Sequence, residues 1–329
     1  SCASSTSCVA VGNLINQGYG FAERFDGHSW TLDTGAAKPG ELSSVSCPNP
    51  SSCMAVGVRF ANNDSTIVSE QLKGGQWASV AIPTPPHADY GAGLASVSCA
   101  SPSDCMAVGS LTSPPRSNTV PNAFAEHWNG TRWSIVPMPD VADANLRAVT
   151  CVAPSACTAV GDHDKAPFVE RWDGTRWTVA DAPGLIGLQD DLLGVSCVDS
   201  QHCEAVGYAY RNFDGDKATA VMLVGNGRQW SVQPSSTTEA QDRTVTGIAC
   251  RSASDCTAVG HDTTDTMGDE QSFTAHWDGT KWSFAAVLQG AAPILELNAI
   301  AALPARNVAV GWQSSGLGQP DSNVIATGG

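Results

Sequence analysis

The sequence predicts an all-β protein, a seven-bladed β-propeller of four-stranded antiparallel blades, and three observations carry that prediction. All 12 cysteines fall into six pairs with five residues between partners: Cys2/Cys8, Cys47/Cys53, Cys99/Cys105, Cys151/Cys157, Cys197/Cys203 and Cys250/Cys256. Each second cysteine opens the word Cys-x-Ala-Val-Gly, and a seventh Ala-Val-Gly follows at Ala309-Val310-Gly311 without cysteines. The closing glycines, Gly12, Gly57, Gly109, Gly161, Gly207, Gly260 and Gly311, lie 45, 52, 52, 46, 53 and 51 residues apart. Self-similarity at about 50 residues marks a propeller or solenoid and outranks local propensity in setting the fold. Blades are expected at 1–41, 42–93, 94–145, 146–191, 192–244, 245–296 and 297–329, the last incomplete, in one domain.

Within a repeat, the first strand reads apolar-x-x-apolar-x-Cys, as in Leu42/Val45, Leu94/Val97, Leu146/Val149, Leu192/Val195 and Val245/Ile248, with Leu297/Ile300 in the last. The second strand is the Ala-Val-Gly segment. The third runs toward Trp-Asp-Gly-Thr-Arg-Trp at Trp172 to Trp177, which recurs at Trp128 to Trp133 and Trp277 to Trp282, and more loosely at Phe25 to Trp30, Leu72 to Trp77 and Gly225 to Trp230. Asp-Gly or Asn-Gly between alternating apolar runs signals a hairpin whose two central residues tolerate positive φ, so the fourth strand starts near the second tryptophan. No repeat holds a helical period over ten or more residues, which leaves a β-solenoid as the competing architecture.

The paired cysteines face each other across a five-residue turn, and opposed Cα atoms about 4.5–5.5 Å apart fit a disulfide. Closing so small a loop restrains the unfolded chain by only roughly 2 kcal/mol. Each bridge is therefore expected to serve locally, holding a turn that has little core of its own. Structural zinc prefers closer cysteines with a second pair or histidines nearby, whereas the seven histidines share no position relative to the cysteines. Disulfides imply an extracellular or cell-surface setting. No apolar run reaches about 20 residues, so membrane insertion is not expected. Net charge is -15 with only 17 basic residues and no Lys/Arg cluster, which argues against nucleic acid. The chain starts at Ser1-Cys2 and stops at Gly329 before a seventh tryptophan turn, so the expectation is a domain of a longer polypeptide.

The combination of Cys-x-Ala-Val-Gly with Glu-x-Trp-Asp-Gly-Thr-x-Trp resembles the secreted repeat propellers of actinobacteria and related bacteria, over essentially the whole chain. That resemblance implies fold and secretion. A weaker likeness is to the fucose-binding lectin propellers, in which an Arg, a Glu and a Trp from neighbouring blades hold one sugar. The matching acids here are Glu23, Glu70, Glu126 and Glu170, replaced by Leu223 and Ala275 in repeats five and six. The matching tryptophans are Trp30, Trp77, Trp133, Trp177, Trp230 and Trp282, and the lectin arginine has no clear counterpart.

Each candidate has a bland alternative. Indoles such as Trp30, Trp133 and Trp177, or the first tryptophans Trp128, Trp172 and Trp277, can stack on sugar rings, or they can pack between blades as core. The glutamates can accept paired hydrogen bonds from vicinal hydroxyls, or they can face solvent on an outer strand. Acidic loops at Asp162/Asp164, Asp214/Asp216 and Asp262 to Asp269 offer oxygens suited to calcium, without spelling a full calcium loop. Asp190/Asp191 and Glu126 are the nearest catalytic candidates, but none has a partner at a telling spacing, and no cofactor motif is present. The function expected is a secreted, non-enzymatic recognition module binding a cell-surface glycan, as the targeting component of a larger secreted assembly. A protein-docking scaffold is the second reading and a polysaccharide hydrolase or lyase the third.

Overall fold

The computed structural model describes residues 1–14, 19–33, 35, 40–61, 64–112, 122–184, 189–210, 217–226, 228–233, 242–263, 270–287, 294–303, 306–314 and 322–328. Their backbone forms antiparallel sheets in which successive strands are neighbours: six sheets have four strands and one has three. The expectation of seven four-stranded blades is therefore corrected. There are six such blades, and the seventh repeat forms a three-stranded sheet of Ile294–Leu303, Arg306–Ser314 and Ser322–Gly328. The third strand of that repeat, Ser322–Gly328, takes up the last residues of the sequence, so none remain in it to pair as a fourth strand.

The strands divide into two compact units, one holding Ser1–Asp164 and Phe168–Val179 and the other Lys165–Pro167 and Ala180–Gly329. The first unit contains the sheets of repeats one to four, and the second those of repeats five to seven. No described helix is long and apolar enough to cross a membrane.

The third sheet shows how one repeat is built. Its first two strands, Ala92–Ser101 and Asp104–Leu111, pair with Cys99 opposite Cys105. Their Cα atoms are 3.9 Å apart. The bridges Cys2–Cys8, Cys47–Cys53, Cys151–Cys157, Cys197–Cys203 and Cys250–Cys256 join the first two strands of their own sheets in the same way, at 3.9–4.1 Å. These separations lie nearer the non-hydrogen-bonded than the hydrogen-bonded spacing. No described cysteine is free. Such bridges persist in an oxidising, extracytoplasmic setting.

The turns closed by the bridges hold no buried residue of their own. What the spacing did not show is that the second cysteine of every pair is itself core. Cys8, Cys53, Cys105, Cys157, Cys203 and Cys256 are all buried, at 2 % exposure or less. Cys53 packs with Leu72 and Trp77, Cys105 with Trp128 and Trp133, Cys157 with Trp172 and Trp177, and Cys256 with Trp277 and Trp282. Strand alternation is the reason, since the second cysteine shares a face with the alanine of its Ala-Val-Gly word and stands opposite the first residue of the tryptophan hairpin, as Cys105 does opposite Trp128. None of these sulfurs is open to a ligand, so their part is structural.

The glycine of Ala-Val-Gly has a cause the sequence did not reveal. The first strand carries a one-residue bulge, so that Val108 opposes Ser96 but Gly109 opposes Leu94. The bulge turns the Gly93 carbonyl oxygen onto Gly109, where a Cβ would collide with it. The same first-strand carbonyl sits over Gly57, Gly161, Gly207, Gly260 and Gly311.

The tryptophan hairpin also departs from expectation. Only the glycine has positive φ, as at Gly130 with 91°, and Asn129 does not. Instead the Asn129 side-chain oxygen accepts the backbone N–H groups of Thr131 and Arg132 at 3.0 Å and the Thr131 hydroxyl at 2.8 Å. Asp173 and Asp278 do the same. The connection is thus a four-residue loop closed by its own side chain rather than a two-residue turn, because an Asx side chain supplies the acceptor that the backbone would otherwise provide.

Neighbouring sheets are tied by serines. The backbone N–H groups of Val97 and Cys99 donate to Ser44 and Ser46 of the preceding sheet at 3.1 and 2.9 Å. Val149 and Cys151 donate in turn to Ser96 and Ser98 at 3.1 and 2.9 Å. In the second unit Cys250 donates to Ser196 at 3.0 Å. The edge of each first strand would otherwise leave these donors unpaired.

Candidate functional site

The second tryptophans lie inside the protein. Trp77, Trp133, Trp177, Trp230 and Trp282 are buried, and Trp30 is half-buried. Where an indole N–H finds an acceptor, that acceptor belongs to the preceding sheet. Trp133 donates to Ser69 at 2.9 Å, Trp77 to Asp33 at 2.9 Å and Trp282 to Gln233 at 2.7 Å. Asp33 is also ion-paired with Arg24. Trp177 has no acceptor, because the position of Ser69 is taken by Ala125 in its neighbour.

The first tryptophans brace the disulfide turn of their own sheet. Trp128, Trp172 and Trp277 are buried and donate to the carbonyls of Pro102, Pro154 and Ala253 at 3.3, 3.1 and 3.2 Å. Each pair of indoles also meets ring to ring, with centroids 5.8 Å apart. Among the indoles expected to stack on a sugar, Trp30 alone keeps partial access to solvent.

The glutamates do not form a solvent face. Glu23 is half-buried, while Glu70, Glu126 and Glu170 are 4, 0 and 1 % exposed. Each lies on a third strand, with Glu23, Glu70 and Glu126 opposite the alanine of Ala-Val-Gly at Ala10, Ala55 and Ala107. Strand alternation aims Glu70, Glu126 and Glu170 at the preceding sheet: Phe124 and Trp128, which flank Glu126 on its own face, pack with Met54 and Val56 of the second sheet. Glu70 accepts a hydrogen bond from Ser79 Oγ at 2.5 Å. The equivalent positions opposite Glu126 and Glu170 are Ile135 and Val179. Neither Glu126 oxygen has a hydrogen-bond partner, and Glu170 Oε2 lacks one too. Burial pushes both carboxyls up to about 8 and raises Glu23 in the same direction.

A further acid escaped the sequence reading. Glu204, in the variable slot of Cys-x-Ala-Val-Gly, is 4 % exposed and pushed up to about 8 by burial. Gln233 donates to it at 3.1 Å and receives Trp282 in turn. It shares a strand face with Val206, which packs against Ala275 and Trp282 of the sixth sheet. The carboxyl missing at Ala275 is thus supplied to the same interface from the opposite side. A signal was present, since the other occupants of that slot are Val9, Met54, Met106, Thr158 and Thr257.

Asp190 and Asp191 are both buried, and Asp190 is pushed up to about 6 by burial. As consecutive residues of one strand, Gln189–Asp199, they point to opposite faces and do not form a carboxylate pair. Of the acidic loops, Asp162 lies 3.7 Å from Arg147, and Asp262 holds Arg243 by two hydrogen bonds of 2.5 and 2.6 Å. Asp214, Asp216, Asp265 and Asp269 fall outside the described residues. Among the described residues no three His, Cys, Asp or Glu side chains converge as a metal site.

The large apolar side chains most exposed in the first unit are Phe60, Leu32, Tyr90 and Val179. Phe60 and Tyr90 are 65 and 56 % exposed. Phe60 continues the face of Met54 and Val56 toward the third sheet and pairs with Ser65. Gly91 lies directly against Ser65, and its N–H and C=O are fixed by Ala88 and Thr112 at 3.0 and 2.9 Å. The two rings therefore lie at the same end of the second and third sheets, in segments that also expose Asp64 and Asp89. The loop between those sheets is anchored by Val80, Ile82 and Ala88 on the core.

No protein-family model matches the chain, and no curated protein matches it in sequence. Solved structures do. YCF48 bound to a D1 peptide superposes with a TM-score of 0.51 at 14% identity, covering 86% of this chain and 80% of that one. The WD40 repeats of RRP9 give 0.56 at 8% identity with 99% of both chains covered. A GH74 xyloglucanase from Xanthomonas campestris gives 0.58 at 12% identity, with 96% of this chain covering 55% of the enzyme. At such identities the likeness concerns fold alone, and that fold is the β-propeller.

Proposed function

We propose that this protein is a secreted recognition module that docks a polypeptide partner of net positive charge at the aromatic end of its second and third blades. The single observation that carries the reading is the contrast between sealed and open aromatics. The tryptophans and glutamates suited to holding a sugar are withdrawn into the blades, apart from half-buried Trp30 and Glu23, while Phe60 and Tyr90 stand in solvent in segments that also expose Asp64 and Asp89. Aromatic faces next to carboxylates attract lysine and arginine side chains. A net charge of -15 draws such a partner in from a distance. The peptide in the YCF48 complex is a precedent for a propeller as a docking platform. Catalysis has no part in this reading, since Asp190 and Asp191 face apart.

The test is selection from a random-peptide display library on the oxidised protein, beside a glycan array. Lys/Arg-rich peptides should be enriched, and their affinity should fall about tenfold or more in Phe60→Ser/Tyr90→Ser. Glycan binding with no peptide enrichment, or peptide binding indifferent to the double substitution, would overturn it.

A further inference from the structure

Three carboxyls are sealed at blade interfaces: Glu126 between the second and third sheets, Glu170 between the third and fourth, and Glu204 between the fifth and sixth. Two come from the third strand of the later blade and one from the second strand of the earlier blade, so the recurring feature is the buried acid at the interface and not a strand position. The surroundings do little to hold a charge. On the facing strand surfaces, Glu126 has Lys73, exposed at the far end of its strand, and Glu41, opposite Val58 on the first strand. Glu170 has the Asp104–His127 pair of the third sheet, and His163 stacked on Phe168 in its own. Glu204 has Asp191, Tyr208 and Tyr210 from its own sheet and the Arg243–Asp262 pair from the next. Neither oxygen of Glu126 has a hydrogen-bond partner, nor has Oε2 of Glu170 or of Glu204, while Gln233 donates to the other oxygen of Glu204.

We infer that these interfacial glutamates act as protonation latches, closing blade against blade while they are neutral and loosening the packing once they ionise. A buried carboxyl without donors is tolerable only as the neutral acid, because ionisation would strand a charge away from water. All three carboxyls are pushed up to about 8, from an ordinary value of 4.5. Each raised group contributes stability in full below the unfolded value near 4.5 and loses it as pH climbs to about 8, because unfolding releases the proton throughout that window. The protein therefore tightens in mild acid and loosens in mild alkali. This inference goes beyond docking and needs no partner to be tested.

The experiment follows thermal unfolding of the oxidised chain at about pH 5 and about pH 8.5, in the wild type and in Glu126→Gln/Glu170→Gln. The wild-type midpoint should fall by roughly 5–10 °C across that rise, and the double variant by less than half as much. A flat wild-type profile, or an equal slope in the double variant, overturns the inference. Should the variant fail to fold, the infrared carbonyl band of protonated carboxyls in the wild type decides. Persistence of that band at pH 7 and its loss near pH 8 supports the latches, and loss below about pH 6 refutes them.

Discussion

Gly109 and Ala125 carry the sharpest consequences of single-atom placement. A methyl group at Gly109 would drive into the Gly93 carbonyl oxygen, and backbone on the neighbouring strand cannot swing aside as a side chain would. Gly109→Ala should cost about 3 kcal/mol or more in urea unfolding. Gly184→Ala, where nothing lies within 4 Å of the new atom, should stay within about 0.5 kcal/mol. Ala125 offers the reverse case. Trp177 keeps a buried N–H without an acceptor, whereas Trp133 finds Ser69 Oγ at 2.9 Å at the corresponding place. Ala125→Ser should therefore stabilise by about 1 kcal/mol, read as a higher urea midpoint at unchanged slope. These details were half legible. The recurrence of the glycine was plain in the chain, but its reason was not, because a bulge one strand away creates the clash.

At the scale of strands and hairpins, two devices stitch the blades. The serine ladder gives first-strand N–H groups an acceptor on the preceding sheet, so Ser46→Ala strands the Cys99 N–H that now donates at 2.9 Å. A loss of about 1–2 kcal/mol is expected, since an unsatisfied buried donor costs its desolvation. The disulfide is the second device. Closing a loop of about seven residues restrains the unfolded chain by roughly 2 kcal/mol, so Cys99→Ser/Cys105→Ser should lower stability by at least that amount, with the loss of the buried Cys105 sulfur from the core adding to it. The fold should survive, because Trp128 still donates to Pro102 and Asn129 still closes the adjoining loop. Near-ultraviolet circular dichroism alongside urea unfolding separates these outcomes. The cysteine pairing was readable because both partners sit in one hairpin. That Cys53, Cys105, Cys157 and Cys256 would be packed under tryptophans was not, since the face each one joins is covered by other strands. The ladder was overlooked although Ser-x-Ser-Cys recurs, because a serine on a strand says nothing about which neighbouring sheet will use it.

For the molecule as a whole, charge sets how a partner arrives. With 32 acidic against 17 basic residues, docking of a cationic polypeptide should slow markedly as salt rises from about 50 to 500 mM, while dissociation changes less. Stopped-flow association rates at those salt concentrations check this, and a salt-independent rate would remove the electrostatic part of the docking account.

Strand order, hairpin positions and disulfide pairing came from the chain alone, since each depends on residues near one another in sequence whose spacing and turn chemistry act locally. The burial of Glu126, Glu170 and the paired tryptophans, the compensation of Ala275 by Glu204 and the isolation of Phe60 and Tyr90 in solvent emerged only once sheets from distant repeats were packed. Alternation tells which residues share a face of a strand, but whether that face meets water or another blade is set by a neighbour some 50 residues away.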